Sequence, residues 1–173
     1  MNQLGPLAGK ALLVAKAAHM GQKRKYTGED YVAHPIRVSW LVAMAGGNDA
    51  MQAAALLHDV VEDTDFTIRE VEQMFGMYVG GMVADLTNVS KSHPDLNRDM
   101  RKALDRKQAT MIIQESKTIR LADIIDNVPS TMRYDPGFAA KYVKEKAELM
   151  PILRDGDSHL YTLASAILRV GIK

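Results

Sequence analysis

A chain of 173 residues with 47% apolar content can bury one substantial core, so a single domain over residues 1–173 is expected. Lysine and arginine total 22 against 21 for aspartate and glutamate, a net charge of +1 that exerts no global pull on nucleic acid or anionic lipid. The lack of cysteine excludes disulfides, thiolate metal sites and cysteine nucleophiles, leaving His, Asp and Glu as the strong ligands.

Helical periodicity dominates, and no β-branched alternation runs long enough for a sheet, so the fold class is all-α, a bundle of about eight to ten helices. Leu7, Ala11, Val14 and Ala18 share one face of a first helix that runs to Gly21. Basic residues Lys10, Lys16, Lys23, Arg24 and Lys25 all precede the first acidic residue, Glu29, as in an organelle transit segment. The apolar run 11–15 is flanked by lysine, however, and falls far short of the ~20 residues of a membrane span. A cytoplasmic chain without leader or anchor is expected, with neither membrane nor nucleic acid as partner. Residues 22–30 read as a loop. His34-Pro35 starts a second helix, ended by Gly46-Gly47, and Asn48 or Asp49 caps a third. Thr67 and Glu70 form a capping box for a fourth, closed by Gly76. Further helices are expected over roughly 78–89, 97–114, 117–127, 138–153 and 158–170, with Pro129, Pro136 and Pro151 at or near boundaries.

The third helix is apolar all round through Ala53-Ala54-Ala55-Leu56-Leu57, so it belongs in the middle of the bundle. Its end carries His58, Asp59, Glu62 and Asp63, where four-residue spacing stacks Glu62 over His58 and Asp63 over Asp59. Taken singly, each reads as a satisfied core histidine or a solvated turn. As a set they call for a compensating charge, and a metal ion supplies it. His34, at a helix start, can reach across the bundle as a further ligand. Asp123 follows an apolar pair in an inward-packing helix and can close the set, with Asn127 one turn later on the same face. Two imidazoles and two carboxylates suit Mn²⁺ and admit Zn²⁺ or Fe²⁺ equally. His19, His93 and His159 are not spaced to complete a second site, so one cation per chain is expected.

The segments Ala18 to Lys25, Tyr31-Val32-Ala33-His34-Pro35, His58 to Thr64, and Leu121-Ala122-Asp123 with Asn127 resemble the hydrolase domain of the RelA/SpoT homologue family, within the HD-domain superfamily. The match covers nearly the whole chain in the right order, and is similar to the stand-alone small alarmone hydrolases. The resemblance implies a metal-dependent (p)ppGpp 3′-pyrophosphohydrolase (guanosine-3′,5′-bis(diphosphate) 3′-diphosphatase) releasing pyrophosphate and GDP or GTP. Its partner would be a small-molecule nucleotide bearing a 3′-pyrophosphate. The resemblance assigns the metal, usually manganese in that family, to His34, His58, Asp59 and Asp123, and catalysis to the acidic pair Glu62 and Asp63.

It also implies substrate contacts at Arg24 and Lys25, in the loop before the first ligand, and at Asn127. A positive excess between Asn97 and Lys107 adds Arg101 and Lys102 as pyrophosphate contacts, against the blander reading of a solvated face. His19 matches the family's N-terminal histidine and is expected to pack or hydrogen-bond rather than ligate. Two departures bear on base recognition: Glu29-Asp30 stands where many relatives have a proline, and Ile124-Ile125-Asp126 replaces a more basic or aromatic stretch. Altered loop charge leaves adenosine alarmones such as ppApp as substrates beside guanosine ones. The competing readings are an NADPH 2′-phosphatase or other HD-type nucleotide phosphohydrolase, and a non-catalytic alarmone-binding helical module.

Overall fold

The computed structural model describes residues 4–171, which are helical throughout apart from loops and one isolated bridge between Lys23 and Asp30. It divides into two compact units at the Thr87–Asn88 junction. No helix among the described residues is long and apolar enough to cross a membrane.

The first unit contains α1 (Pro6–Ala18), α2 (Ala33–Met44), α3 (Asp49–Leu57), α4 (Val60–Asp63), α5 (Ile68–Phe75) and α6 (Met77–Leu86). As its composition requires, α3 lies in the middle, packed against α1, α2 and α6, and Ala53 to Leu57 are buried without a break. The fully buried residues of α1 are Ala8, Ala11 and Ala15; of the expected face Ala11 is among them, while Leu7, Val14 and Ala18 lie half-buried beside it. With α1 packed on α3, alanine at its buried positions lets the two backbones approach closely. Asn48 caps α3 by accepting from the Met51 amide. Thr67 and Glu70 form the reciprocal capping box on α5, which ends at Gly76 in the positive-φ conformation glycine allows.

Helix α2 begins one residue before the expected start, at Ala33, leaving His34 and Pro35 within its first turn, where the missing proline N–H costs no helical bond. A larger difference follows α3. The helix does not run through His58 and Asp59; it stops at Leu57, turns, and resumes as the single turn α4. Asp59 has φ −96° and ψ −9°, in the sparsely populated bridge region. The Asp63 amide still donates to the Asp59 carbonyl at 2.9 Å, so Asp63 stands one turn beyond Asp59 as its spacing predicts.

The second unit contains a 3-10 turn (Val89–Ser92), α7 (Arg98–Ala109), α8 (Gln114–Tyr134), α9 (Pro136–Leu149), a second 3-10 turn (Met150–Asp155) and α10 (Ser158–Gly171). Helix α8 is its axis, with α9 and α10 packed on it. It is far longer than the expected 117–127 because Pro129 lies inside it rather than at its end. Pro129 is exposed, so its ring displaces no neighbour, and buried Ile124, Ile125, Val128 and Thr131 hold the helix on both sides of the lost backbone bond. Pro136 opens α9 and Pro151 lies in the second 3-10 turn, both at boundaries.

Candidate metal centre

The break between α3 and α4 presents two of the expected ligands to a third. His34 from α2 and His58 after α3 are buried, with ring centroids 5.1 Å apart and nearly perpendicular planes. Asp59 Oδ2 lies 3.2 Å from His58 Nε2 and 3.5 Å from His34 Nε2. One ligand atom from each of the three residues lies within 4.8 Å of the others. His58 Nδ1 lies 2.7 Å from the Ala55 carbonyl oxygen. A carbonyl only accepts, so Nδ1 carries the hydrogen and the lone pair of Nε2 faces the cluster. A carbonyl-oriented imidazole, a second buried imidazole and a carboxylate form a donor set that fits a divalent metal ion.

Tyr31, three residues before His34, completes the surroundings. Its hydroxyl lies 2.7 Å from Asp59 Oδ2 and 3.0 Å from Asp63 Oδ2. Burial, and then the facing charges of Asp59 and Asp63, push the phenol well above the ordinary tyrosine range, so it remains a donor. The ring rests against His19 at 4.7 Å between centroids. His19, buried as expected of a packing residue, shares a hydrogen bond of 2.8 Å between Nδ1 and Gln22 Oε1. Gln22 in turn donates Nε2 to the Asp63 carbonyl at 2.9 Å, tying the basic loop to α4. Glu62 is half-buried on α4 and Asp63 is exposed.

Arg24 and Lys25 lie in that loop. The Arg24 guanidinium stands over the Tyr31 ring at 5.7 Å, and Lys25 stands over Tyr26 at 4.8 Å. The two acidic residues that alter the loop's charge are both engaged. Glu29 receives Arg37 Nη1 and Nη2 at 3.1 and 2.8 Å, and Asp30 receives Lys23 Nζ at 2.6 Å. The hydrogen bonds from Arg37 hold the Glu29 carboxyl below its ordinary range.

In the second unit, Asp123 lies on α8 and accepts from Asn127 Nδ2, so Asn127 is a mid-helix partner of Asp123 rather than a helix end. Lys146 of α9 approaches Asp123 Oδ2 at 3.6 Å and stands over Tyr142 at 5.3 Å. Burial disfavours that ammonium, but Tyr142 and Asp123 outweigh it and raise its pKa. Arg101 and Lys102 line a cavity of about 250 Å³ together with Ser90, Lys91 and Arg98. Lys102 is held by buried Asp105 at 3.0 Å, and the same carboxylate accepts from the Ser90 amide and hydroxyl. Arg101 differs, because its Nε is buried without a hydrogen-bond partner. Tyr31 and Lys146 are contacts that residue spacing did not assign. The nearest signal was a phenol one turn before His34 in the first case, and there was none in the second.

A family profile described as HD domain matches residues 11–127. The guanosine-3′,5′-bis(diphosphate) 3′-pyrophosphohydrolase MESH1 of Xenopus tropicalis is 34% identical over 149 residues, covering 80% of this chain and 81% of its own length. A probable guanosine-3′,5′-bis(diphosphate) 3′-pyrophosphohydrolase of Synechocystis is 32% identical over 142 residues, 81% of this chain. This chain spans about a fifth of the length of such long relatives, 19% of the Synechocystis protein and 22% of Escherichia coli SpoT. Among solved structures, a metazoan ortholog of SpoT that hydrolyzes ppGpp superposes with a TM-score of 0.88 at 28% identity, covering 100% of both chains. A Listeria monocytogenes protein with a TM-score of 0.70 at 24% identity shares the fold. The all-α architecture, the histidine and aspartate cluster and the extent of these matches agree, and the chain belongs to the HD-domain family, homologous to SpoT and the MESH1 proteins.

Proposed function

We propose that residues 1–173 form one metal-dependent (p)ppGpp 3′-pyrophosphohydrolase domain. The observation that carries this reading is the convergence of His34, His58 and Asp59 ligand atoms within 4.8 Å, directly before Glu62 and Asp63. Pyrophosphohydrolase relatives that match along most of their length support the substrate class. The resemblance adds Asp123 as a fourth ligand and Mn²⁺ as the resident ion. When bound, such an ion supplies Lewis-acid stabilisation of phosphoryl charge and lowers the pKa of water.

The chain's own residues do the rest. Ala55 orients His58, and Tyr31 orients Asp59, so the chain itself aims these two donors. Glu62 takes the proton of the attacking water, with Asp63 beside it orienting that water. Water oxygen bonds to the phosphorus attached to the ribose 3′-oxygen, and that ester bond breaks. The 3′-oxygen leaves as a hydroxyl after gaining a proton, giving pyrophosphate and GDP from guanosine tetraphosphate, or GTP from the pentaphosphate. Arg24 and Lys25 recognise the nucleoside and its phosphates, since guanidinium stacks on a purine and donates hydrogen bonds. Asn127 and Arg101 are further substrate contacts. Because Glu29 and Asp30 are matched by Arg37 and Lys23, the loop keeps the cations that a polyanionic nucleotide requires.

The test is pyrophosphate release from guanosine tetraphosphate after chelation and after adding back Mn²⁺, with ppApp and NADPH as parallel substrates. Release abolished by chelator and restored by Mn²⁺ is expected for guanosine tetraphosphate. Phosphate released from NADPH alone, or no turnover of any nucleotide, contradicts the proposal.

A further inference from the structure

Tyr31, which orients Asp59, also has a second contact, to Asp63, that the proposed division between ligands and acidic pair leaves unused. Its hydroxyl bears a single hydrogen, yet two carboxylate oxygens compete for it, Asp59 Oδ2 at 2.7 Å and Asp63 Oδ2 at 3.0 Å. Asp59 Oδ2 is also the oxygen facing both imidazoles, at 3.2 and 3.5 Å. One phenol therefore touches the ligand carboxylate and the acid proposed to orient water. The ring has little freedom to move away, being set against His19 on one side and edge-on to His34 at 6.2 Å on another. Asp63 itself is exposed.

We propose that Tyr31 is a positioning residue that couples the cation site to Asp63, its one hydroxyl holding the Asp59 and Asp63 carboxylates in a common arrangement. This rests on the metal-dependent reading above. Two like charges within reach of one oxygen atom repel, and the shared donor offsets that repulsion at a lower cost than separating them. A cation among His34, His58 and Asp59 would draw charge from Asp59 Oδ2 and weaken it as an acceptor, leaving Asp63 the better partner for the same hydroxyl. The orientation of Asp63 is then linked to occupancy of the site, and each should respond to loss of the hydroxyl.

Tyr31→Phe keeps the ring and removes only the donor. Mn²⁺ titration of the full chain by calorimetry is expected to show affinity weakened roughly tenfold, in the range for lost partners of metal ligands. With Mn²⁺ saturating, kcat for guanosine tetraphosphate should fall about 10- to 100-fold while KM changes less than about threefold. The kcat effect should vanish when Tyr31→Phe is made in an Asp63→Ala background, because the hydroxyl acts through that carboxylate. Unchanged Mn²⁺ affinity and kcat in Tyr31→Phe overturn the proposal. So do a raised KM at constant kcat, which marks a substrate contact, and full additivity with Asp63→Ala. Wild-type chain separates the two layers: failure of wild type to release pyrophosphate overturns the proposed function, whereas an active wild type matched by Tyr31→Phe overturns the role of Tyr31 alone.

Discussion

Asp49 is the residue through which α3, the helix that delivers His58, fixes the start of α1. Helix α1 has glycine at its N-cap and therefore no side chain of its own to satisfy its first amides. Asp49 Oδ2 and Oδ1 accept from the Leu7 and Ala8 amides at 2.9 Å each. A single lost cap costs about 1 kcal/mol, and here two bonds go to one charged acceptor that also sits in the first turn of α3, favourable by about another 0.5 kcal/mol. Asp49→Ala should therefore destabilise the chain by about 2–3 kcal/mol. Gly5 has φ −65° and ψ 170°, which alanine adopts, but alanine is a poorer N-cap than glycine, so by itself Gly5→Ala should cost about 0.5–1 kcal/mol. The added methyl would also fall on the Asp49 carboxylate, which has to move and give up its bonds. Gly5→Ala is expected to cost about 2–3 kcal/mol in the wild-type chain and only the capping loss of about 0.5–1 kcal/mol in the Asp49→Ala chain, a coupling that large being the mark of direct contact. Urea unfolding followed by far-UV circular dichroism on the four chains of the cycle measures it. Effects that add to within about 0.5 kcal/mol would refute the reasoning.

Glu62→Gln should leave Mn²⁺ affinity largely intact and lower turnover by roughly 100-fold or more, as for a lost general base; unchanged turnover in a continuous pyrophosphate assay refutes that role. Arg101→Gln should raise KM for guanosine tetraphosphate about tenfold, its Nε being buried without a partner beside a basic cavity. Lys102→Gln should instead cost about 1 kcal/mol of stability with little effect on KM, because its ammonium is committed to buried Asp105. Parallel melts and KM determinations distinguish the two, and a KM effect confined to Lys102 reverses the assignment. Glu29 has its pKa lowered from 4.5 by the Arg37 hydrogen bonds, so its contribution is present above about that pH and disappears as pH falls through the lower folded-state value. Glu29→Gln should cost about 0.5–1 kcal/mol at pH 7, the difference closing on acidification; a constant difference at pH 3 contradicts the pairing.

The elements that were legible in the sequence are those whose cause is local. Thr67 and Glu70 specify a cap from side chains three residues apart, and an unbroken run from Ala53 to Leu57 leaves α3 no solvent face to choose. Convergence of His34 with His58 and Asp59 was legible as well, because ionisable groups at the end of such a helix call for compensation. What escaped depends on partners. Pro129 looks like a stop until the buried residues around it are seen to hold α8 together. The fully buried positions of α1 are alanines, with Leu7 and Val14 half-buried beside them, because the helix packs on α3. Tyr31 and Lys146 gain significance only from Asp59, Asp63 and Asp123, which lie 28, 32 and 23 positions from them in sequence.

The proposed catalysis requires a cation held by His34, His58 and Asp59, and counting that cation tests it directly. Calorimetric titration with Mn²⁺ should give one ion per chain for the wild type and at least about 100-fold weaker binding for His58→Gln, with the helical circular dichroism of the variant retained. Binding of Mn²⁺ by His58→Gln with wild-type affinity, or no binding by the wild type, would contradict it.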